Sequence, residues 1–152
     1  MDTADASSHQ GQRLLQAGIL LFLFALLVGL AVPRFTVPRL GLSTHLLGII
    51  QGIFLMVTGV LWPKLRLTPA LFRVGSWLAI YGCFAAWTAN LLAGVWGAGN
   101  PMLPLAAGQA RGSALQEIII ATGLRTAAVS LIAVAILILW GLRSFAVNRP
   151  DR

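Results

Sequence analysis

The sequence predicts an all-α integral membrane protein, built as a bundle of four transmembrane helices. Of its 152 residues, 58% are hydrophobic and only 10% are charged, with a mean hydropathy of +0.85, values that lie far from those of a soluble domain. Long apolar stretches of about the 20 residues needed to cross a bilayer alternate with connections rich in Pro, Gly and Arg. These features predict one membrane domain over residues 13–143, with spans over residues 14–32, 44–62, 74–96 and 113–142.

The two ends of the chain are polar and predict tails outside the bundle. Residues 1–12 are small and polar, so we expect a disordered tail in which His9 is solvated. This segment lacks the basic n-region of a secretory signal. Residues 144–152 predict a short basic C-terminal tail.

The second predicted span carries two polar side chains, a histidine and an amide. Gly48 and Gly52 form a G-x-x-x-G face, which allows the close approach of another helix or of a flat ligand. His45 lies one turn before Gly48 on nearly the same face. Gln51 lies about 120° around the helix from His45, at 100° per residue.

The third predicted span is rich in aromatic and polar side chains. Trp and Tyr near the ends of spans usually lie in the interfacial belts of the bilayer, but Tyr81 and Trp87 fall in mid-span. Helical geometry places Trp77, Tyr81 and Thr88 on one face and turns Asn90 away from Tyr81.

The fourth predicted span contains two charged residues, Glu117 and Arg125, within an apolar run that has no proline. The chain has four acidic residues, and only Glu117 lies in its apolar body. Each charge would cost about 2.5–3.5 kcal/mol near the bilayer centre, which favours a polar site between facing helices. The alternatives are a structural ion pair between the two residues or a charge close to the membrane interface.

The basic residues flank the spans unevenly, and this asymmetry predicts the orientation of the chain. Four spans place both termini on one side of the membrane. That side holds seven Lys and Arg residues, and the opposite side holds three: Arg13, Lys64, Arg66, Arg73, Arg143, Arg149 and Arg152 against Arg34, Arg39 and Arg111. By the positive-inside rule, the sequence predicts a multi-pass protein of the inner (cytoplasmic) membrane with both termini in the cytoplasm.

Composition and motifs exclude several classes of function. The net charge of +7 comes from residues that flank the spans, not from a basic patch with exposed aromatics, so nucleic acid is not an expected partner. The single cysteine, Cys83, leaves no intrachain disulfide and no Cys-x-x-Cys motif. The sequence has no phosphate-binding loop, zinc-protease motif or G-x-S-x-G elbow.

His45 is the one histidine in the membrane body, which excludes a multi-histidine metal site within one chain. A single histidine can still be the axial ligand of haem iron, because the porphyrin supplies the other four nitrogens. Small residues such as Gly48 and Gly52 would admit the ring beside it, and an arginine such as Arg111 can pair with a propionate. The alternative is that His45 only makes a hydrogen bond at the start of a helix.

Two blocks of the sequence resemble the hydroxylaminobenzene mutase family: HLLGIIQGIFLMVTGVLWPKLRL in the second span, and GNPMLPLAAGQARGSALQEIIIATGL leading into the fourth. The resemblance covers about residues 14–143, and the segment GNPMLPLAAGQARGSALQE is its more specific part. It implies an enzyme that converts a hydroxylaminobenzene to a 2-aminophenol in nitroarene breakdown, with a small aromatic hydroxylamine as substrate.

More distantly, the order of spans and the histidine that opens the second span resemble the styrene oxide isomerase family. That resemblance implies a four-helix membrane enzyme that binds haem b, and a homotrimer with haem between protomers. It makes His45 the ligand of the haem iron. Gln51 stands where that family has a shorter amide and Tyr81 where it has an acid, whereas Glu117 and Arg125 have no counterpart there.

The resemblance also implies roles for the polar and aromatic side chains. Moving a hydroxyl group from nitrogen to the ortho carbon requires cleavage of the N–O bond while positive charge develops on the ring, and ferric haem would act as a Lewis acid. Glu117 would move a proton or stabilise the cation, with Arg125 setting its ionisation, and an aromatic pocket would hold the ring. The predicted catalytic residues are Gln51, Tyr81, Glu117 and Arg125, and the predicted substrate-binding residues are Trp77, Trp87, Thr88 and Asn90.

Other functions are compatible with the same sequence. One is an epoxide isomerase of the styrene oxide isomerase type. Another is a small exporter of lipophilic cations, which would use one membrane glutamate and bind no haem. A structural or assembly subunit would need neither Glu117 nor His45. In each case membrane lipid surrounds the spans.

The predicted orientation can be tested with a reporter fused after Arg152. Because the seven basic residues lie on the side of the termini, we expect reporter activity only in the cytoplasm. A fusion of an alkaline phosphatase type, active only outside the cytoplasm, provides the complementary measurement. Phosphatase activity from that fusion would reverse the predicted orientation.

Overall fold

Four long helices account for nearly all of the described chain. The computed structural model describes residues 3–146, with side chains described for residues 7–142. The long helices are α1 (Thr3–Ala31), α2 (Pro38–Leu61), α3 (Pro69–Trp96) and α5 (Ala114–Ala146), and a single turn, α4 (Pro104–Ala107), lies in the last connection. Between residues 3 and 146 there is no strand. All four long helices are long and apolar enough to cross a membrane, which confirms the predicted four-helix membrane fold.

The N-terminal segment differs from the predicted one. Residues 3–12, expected as a disordered tail, form the first turns of α1. Contacts across the bundle explain this difference, since Ser7 is buried and Gln10 accepts a hydrogen bond of 3.3 Å from the Trp62 indole at the end of α2. The basic tail expected at residues 144–152 lies mostly outside the described residues.

Prolines set several of the helix ends. Pro38 and Pro69, which the sequence places in connections, occupy the first positions of α2 and α3. Proline is favourable there because its missing N–H would have no partner within the helix. α1 and α2 each run into a short 3-10 turn that contains a proline, Val32–Arg34 and Trp62–Lys64. The helices therefore extend several residues beyond the hydropathy-based limits.

The bundle consists of two helical hairpins, α1–α2 and α3–α5, which meet where α3 packs on α2 and α1. The largest core lies between them and contains the fully buried Leu14, Leu55 and Trp62 beside Cys83 of α3. α5 packs mainly on α3, and only 17% of its most apolar window is buried, against 50% for α3. α3 is therefore the central helix, and α5 turns most of its surface outward.

Regularly spaced glycines bring α1 and α2 into close contact. Gly18 of α1 faces Gly52 of α2, and a Cβ on Gly18 would lie 2.7 Å from the Gly52 carbonyl oxygen. The contact is reciprocal, because a Cβ on Gly52 would lie 2.9 Å from the Gly18 oxygen. Gly11 and Gly59 face each other in the same way, seven residues away on each helix. A seven-residue spacing returns to the same helix face after two turns, so this register continues along the whole hairpin.

The connection between α3 and α5 folds back over the start of α2. α3 is capped by Gly97, directly after its last residue, with a φ of 64° that suits glycine. The short helix α4 then buries Ala107 in a second apolar cluster, which also contains Leu40 of α2 and Ile120 of α5. This cluster closes the end of the bundle at which α2 begins.

The glycine contacts predict a position-dependent effect of adding one methyl group. Gly18→Ala should lower the free energy of unfolding by about 1–3 kcal/mol, because the new Cβ meets backbone atoms of α2 that cannot move aside. Gly123→Ala is the matched control, since its Cβ would meet only the Ala89 methyl at 3.1 Å and a more distant oxygen. Both exchanges raise helix propensity equally. Thermal unfolding in detergent measures the difference, and equal stability of the two variants would contradict the proposed helix contact.

Candidate active site around His45

His45 lies seven residues before Gly52 on α2, and Ala25 lies seven residues after Gly18 on α1, so the two residues face each other in the same register. Its Nδ1 is 2.7 Å from the Ala25 carbonyl oxygen. Because a carbonyl oxygen only accepts, Nδ1 must carry the proton and donate it, which leaves Nε2 of a neutral ring with a free lone pair. A backbone hydrogen bond of this kind fixes both the tautomer and the orientation of a metal-binding histidine.

An apolar groove of about 550 Å³ lies beside the His45 ring, between the end of α1 and the start of α2. It opens on the outer surface of the bundle. Gly29 provides space next to the ring, because a Cβ at this position would lie 2.6 Å from His45 Nδ1. The lining residues are mostly aliphatic: Leu26, Leu27, Gly29, Leu30, Val32, Pro33, Leu42 and His45. A flat lipophilic group bound in such a groove would lie beside the imidazole of His45.

The predicted cofactor face at Gly48 and Gly52 is occupied by protein. A Cβ on Gly48 would lie 2.6 Å from both the Ala25 Cβ and the Trp87 Nε1, and Gly52 packs against Gly18. Of the two interpretations that the sequence allowed, close approach of a helix is therefore the one found. The other predicted cofactor residue, Arg111, is exposed in the connection before α5 and does not line the groove.

Two buried polar atoms near the middle of the bundle lack a hydrogen-bond partner among the described residues. They are the side-chain oxygen of Gln51 and the indole nitrogen of Trp87. Trp87 stacks on Phe24 of α1, with ring centroids 5.9 Å apart, and its Nε1 lies against Gly48. An unpartnered acceptor and an unpartnered donor, both buried, are costly in an apolar environment, so a hydrogen-bond partner would stabilise each of them.

Asn90 is buried as well, but its amide is used within the protein. Its nitrogen donates a hydrogen bond of 3.5 Å to Ser43, and its oxygen lies 3.4 Å from the Thr44 hydroxyl oxygen. The single Thr44 hydroxyl hydrogen is shared between that oxygen and the Leu40 carbonyl, which is closer at 2.8 Å. Asn90 therefore connects α3 to the turn of α2 that precedes His45, and this contact stabilises the position of that turn.

The predicted aromatic pocket of Trp77, Tyr81 and Trp87 is not formed within one chain. Trp87 faces α1 and α2, whereas Trp77 is 63% exposed and Tyr81 49% exposed on another side of α3. The Tyr81 hydroxyl lies 2.8 Å from that of Thr126 on α5. Thr88 is exposed too. The physical reason is helical rotation, since Trp87 is ten residues from Trp77 and about 80° away around the helix at 100° per residue.

Glu117 and Arg125 do not form the structural ion pair that the sequence allowed as an alternative. The Glu117 carboxylate accepts hydrogen bonds from the backbone N–H groups of Gly99 and Gly112. Arg125 is exposed and lies eight residues, about 12 Å, further along α5. Glu117 is thus a half-buried group at the start of α5 that is bonded to backbone amides.

Two site residues were not identified from the sequence, Ala25 and Gly29. The signal that could have found Ala25 is the matched spacing of small residues on α1 and α2, and Gly29 follows Ala25 by four residues, about one turn further along α1. Steps of seven from Gly11 lead to Ala25, and steps of seven back from Gly59 lead to His45. Thr126, the partner of Tyr81, gave no signal of its own.

The fold and site define a class: a small four-helix membrane protein in which a single histidine faces an apolar groove. The chain belongs to the styrene oxide isomerase family, whose family model matches residues 10–143. It is 44% identical over 149 residues to hydroxylaminobenzene mutase HabB of Ectopseudomonas oleovorans, covering 98% of this chain and 91% of the relative. To hydroxylaminobenzene mutase HabA of the same organism it is 39% identical over 129 residues, covering 85% of this chain and 96% of the relative.

No solved structure gives a significant match. The family model and the two relatives confirm the resemblance that the sequence blocks indicate. They also confirm the prediction of an enzyme, a mutase or isomerase.

The difference between Gln51 and Asn90 can be tested by the same exchange at both positions. The two side chains are buried to a similar extent, at 7% and 4% exposure. Asn90→Leu should lower the free energy of unfolding by about 0.5–1.5 kcal/mol, because it removes the contacts of the buried amide with Ser43 and Thr44 of α2. Gln51→Leu should be neutral or stabilising, because it removes an oxygen that has no protein partner. Thermal unfolding of the two variants in detergent measures the two effects. A larger loss of stability for Gln51→Leu would contradict the conclusion that Asn90, and not the Gln51 oxygen, is bonded within the protein.

Proposed function

We propose that the chain is a hydroxylaminobenzene mutase, which converts an aryl hydroxylamine to a 2-aminophenol by moving the hydroxyl group within one molecule. The two relatives carry the name of that activity. The observation that carries the proposal is the His45 site, where the hydrogen bond to Ala25 leaves one imidazole nitrogen available beside an apolar groove. A small aromatic substrate and a lipophilic cofactor both suit such a groove.

The residues around His45 fit haem b as the cofactor. His45 would supply Nε2 to the iron, and the aliphatic side chains of the groove would surround the macrocycle. When bound, ferric haem supplies a Lewis acid for a heteroatom of the substrate. The groove opens outward, so a second copy of the chain would cover its other side. We therefore propose a homo-oligomer, with three copies by family resemblance.

Gln51 and Trp87 are suited to hold the polar end of an aryl hydroxylamine. The Gln51 oxygen can accept from the N–H or O–H of the substrate, and the Trp87 indole can donate to its oxygen. Substrate binding would satisfy both atoms, for which the described residues provide no other partner. The Trp87 ring, stacked on Phe24, adds an aromatic surface that favours positive charge on the substrate.

The reaction is an isomerisation that needs no oxidant or reductant. The N–O bond breaks, a C–O bond forms at the ortho carbon, and that carbon loses a proton while the nitrogen gains one. A site within the apolar bundle would keep bulk water from capturing the ring cation at the para position. In the membrane we propose the orientation with both termini in the cytoplasm, on the side with more basic residues.

A second candidate is the isomerisation of an aryl epoxide, because the matching family model is that of styrene oxide isomerase. The same His45 site would serve that reaction, since an epoxide oxygen is also activated by a Lewis acid. Assays of the purified protein with phenylhydroxylamine and with styrene oxide separate the two candidates. The exporter and assembly-subunit alternatives are set aside by membership of an enzyme family.

The proposal predicts that His45→Ala loses the haem absorption band and at least about 100-fold in mutase turnover. His9→Ala is the matched control, because His9 is exposed near the start of α1. The measurements are the Soret absorption of the gently purified protein and the formation of 2-aminophenol from phenylhydroxylamine. Full haem content and full turnover in His45→Ala would contradict the assignment of His45 as the haem ligand. A colourless but fully active wild-type protein would contradict haem as the cofactor, but the proposed mutase activity would stand.

A further inference from the structure

Glu117 is bonded to both ends of the connection between α3 and α5. Gly99 N–H, three residues after the end of α3, donates to the two carboxylate oxygens at 3.0 and 3.1 Å. Gly112 N–H, just before α5, donates to the Oε1 atom at 2.8 Å. Hydrogen bonds from N–H groups to a carboxylate are stronger than those to a neutral acceptor. One side chain therefore joins the first and last turns of a long connection.

The ends of this connection are packed closely as well as bonded. A Cβ on Gly112 would lie 2.6 Å from the Ala98 methyl group. Ser113 and Gln116 form a reciprocal cap at the start of α5, in which Ser113 N–H donates to the Gln116 side chain at 2.8 Å. The start of α5 is thus well defined, and Glu117 projects from its first turn onto the connection.

The connection in turn holds the start of α2, the helix that carries His45. Between the two clamped ends lies α4, which buries Ala107 in the cluster with Leu40. Leu40 belongs to the first turn of α2, and its carbonyl accepts the hydrogen bond from Thr44. His45 is the next residue. A continuous set of contacts therefore runs from Glu117 through the connection to the turn that carries the histidine.

We propose that Glu117 is a positioning residue, which clamps residues 97–113 over the start of α2 and so fixes the His45 end of the site. Its carboxylate acts as an acceptor of backbone N–H groups and transfers no proton in the reaction. This inference rests on the proposed function only where turnover is the measurement, because closure of the connection can be measured without substrate.

Two substitutions separate the reach of the side chain from its acidity. Glu117→Gln keeps the Oε1 acceptor, which alone contacts both Gly99 and Gly112, but removes the acid. Glu117→Asp keeps the acid but shortens the side chain by one carbon, so it no longer reaches both amides. If Glu117 is a clamp, the Gln variant should resemble the wild type more closely than the Asp variant does. If Glu117 transfers a proton, the Asp variant should resemble the wild type more closely.

The first measurement is hydrogen–deuterium exchange of the backbone amides over residues 97–113 in the purified protein. We expect exchange in Glu117→Gln to be only slightly faster than in the wild type, because a neutral oxygen is a weaker acceptor than a carboxylate. We expect at least about tenfold faster exchange in Glu117→Asp, because one lost hydrogen bond of about 1.4 kcal/mol corresponds to a factor of ten. Unchanged exchange in Glu117→Asp would overturn the clamp. This result is independent of whether the protein is a mutase.

The second measurement is turnover of phenylhydroxylamine by the same preparations. We expect Glu117→Gln to retain turnover within about tenfold and Glu117→Asp to lose about 100-fold, since a 1 Å displacement of a site can have that effect. A Gln variant with a protected connection but a loss of about 10²–10⁴-fold would overturn the inference and make Glu117 an acid or base. If the wild type itself is inactive on this substrate, the proposed function fails, and the exchange measurement alone decides on the clamp.

Discussion

The close antiparallel contact of α1 and α2 is the constraint on which the site depends. Apolar helices in hydrocarbon gain little from hiding apolar surface from each other, so their association relies on close packing and hydrogen bonds. Gly18 and Gly52 allow each backbone to approach the carbonyl oxygen of the other. The same separation brings the Ala25 carbonyl within 2.7 Å of His45 Nδ1. The tautomer of the histidine is therefore a consequence of how closely two backbones pack.

Polar side chains inside the bundle fall into two groups that differ in what satisfies them. Thr44 and Asn90 are bonded to the protein, as is Glu117, and each stabilises a defined turn or connection. The Gln51 oxygen and the Trp87 nitrogen are buried without a partner among the described residues. Water in the hydrocarbon region is too scarce to satisfy such atoms. The second group therefore has hydrogen-bonding capacity left for a small molecule, as does the free ring nitrogen of His45. This difference separates side chains that stabilise the fold from those that are available to a ligand.

The hydropathy pattern was enough to predict the fold class and to place His45, the one histidine in the membrane body, on the second helix. It was not enough to predict how each helix is rotated. The spacing of Trp77 and Tyr81 predicted a shared face correctly, but Trp87 faces the interior because α3 packs on α2 and α1 as well as on α5. The roles of Gly48 and Glu117 depended on contacts that hydropathy does not encode: Gly48 meets Ala25 of α1, and the Glu117 carboxylate accepts from the backbone amides of Gly99 and Gly112.

The groove beside His45 is lined entirely by residues between Leu26 and His45, one short and continuous segment of the chain. Membrane domains are inserted from the N-terminus as they are synthesised. The first hairpin, α1–α2, therefore contains the whole wall of the groove and the Ala25 hydrogen bond before α3 has left the ribosome. If haem and substrate bind as proposed, binding of the cofactor at His45 does not require α3, whereas binding of the substrate at Trp87 does.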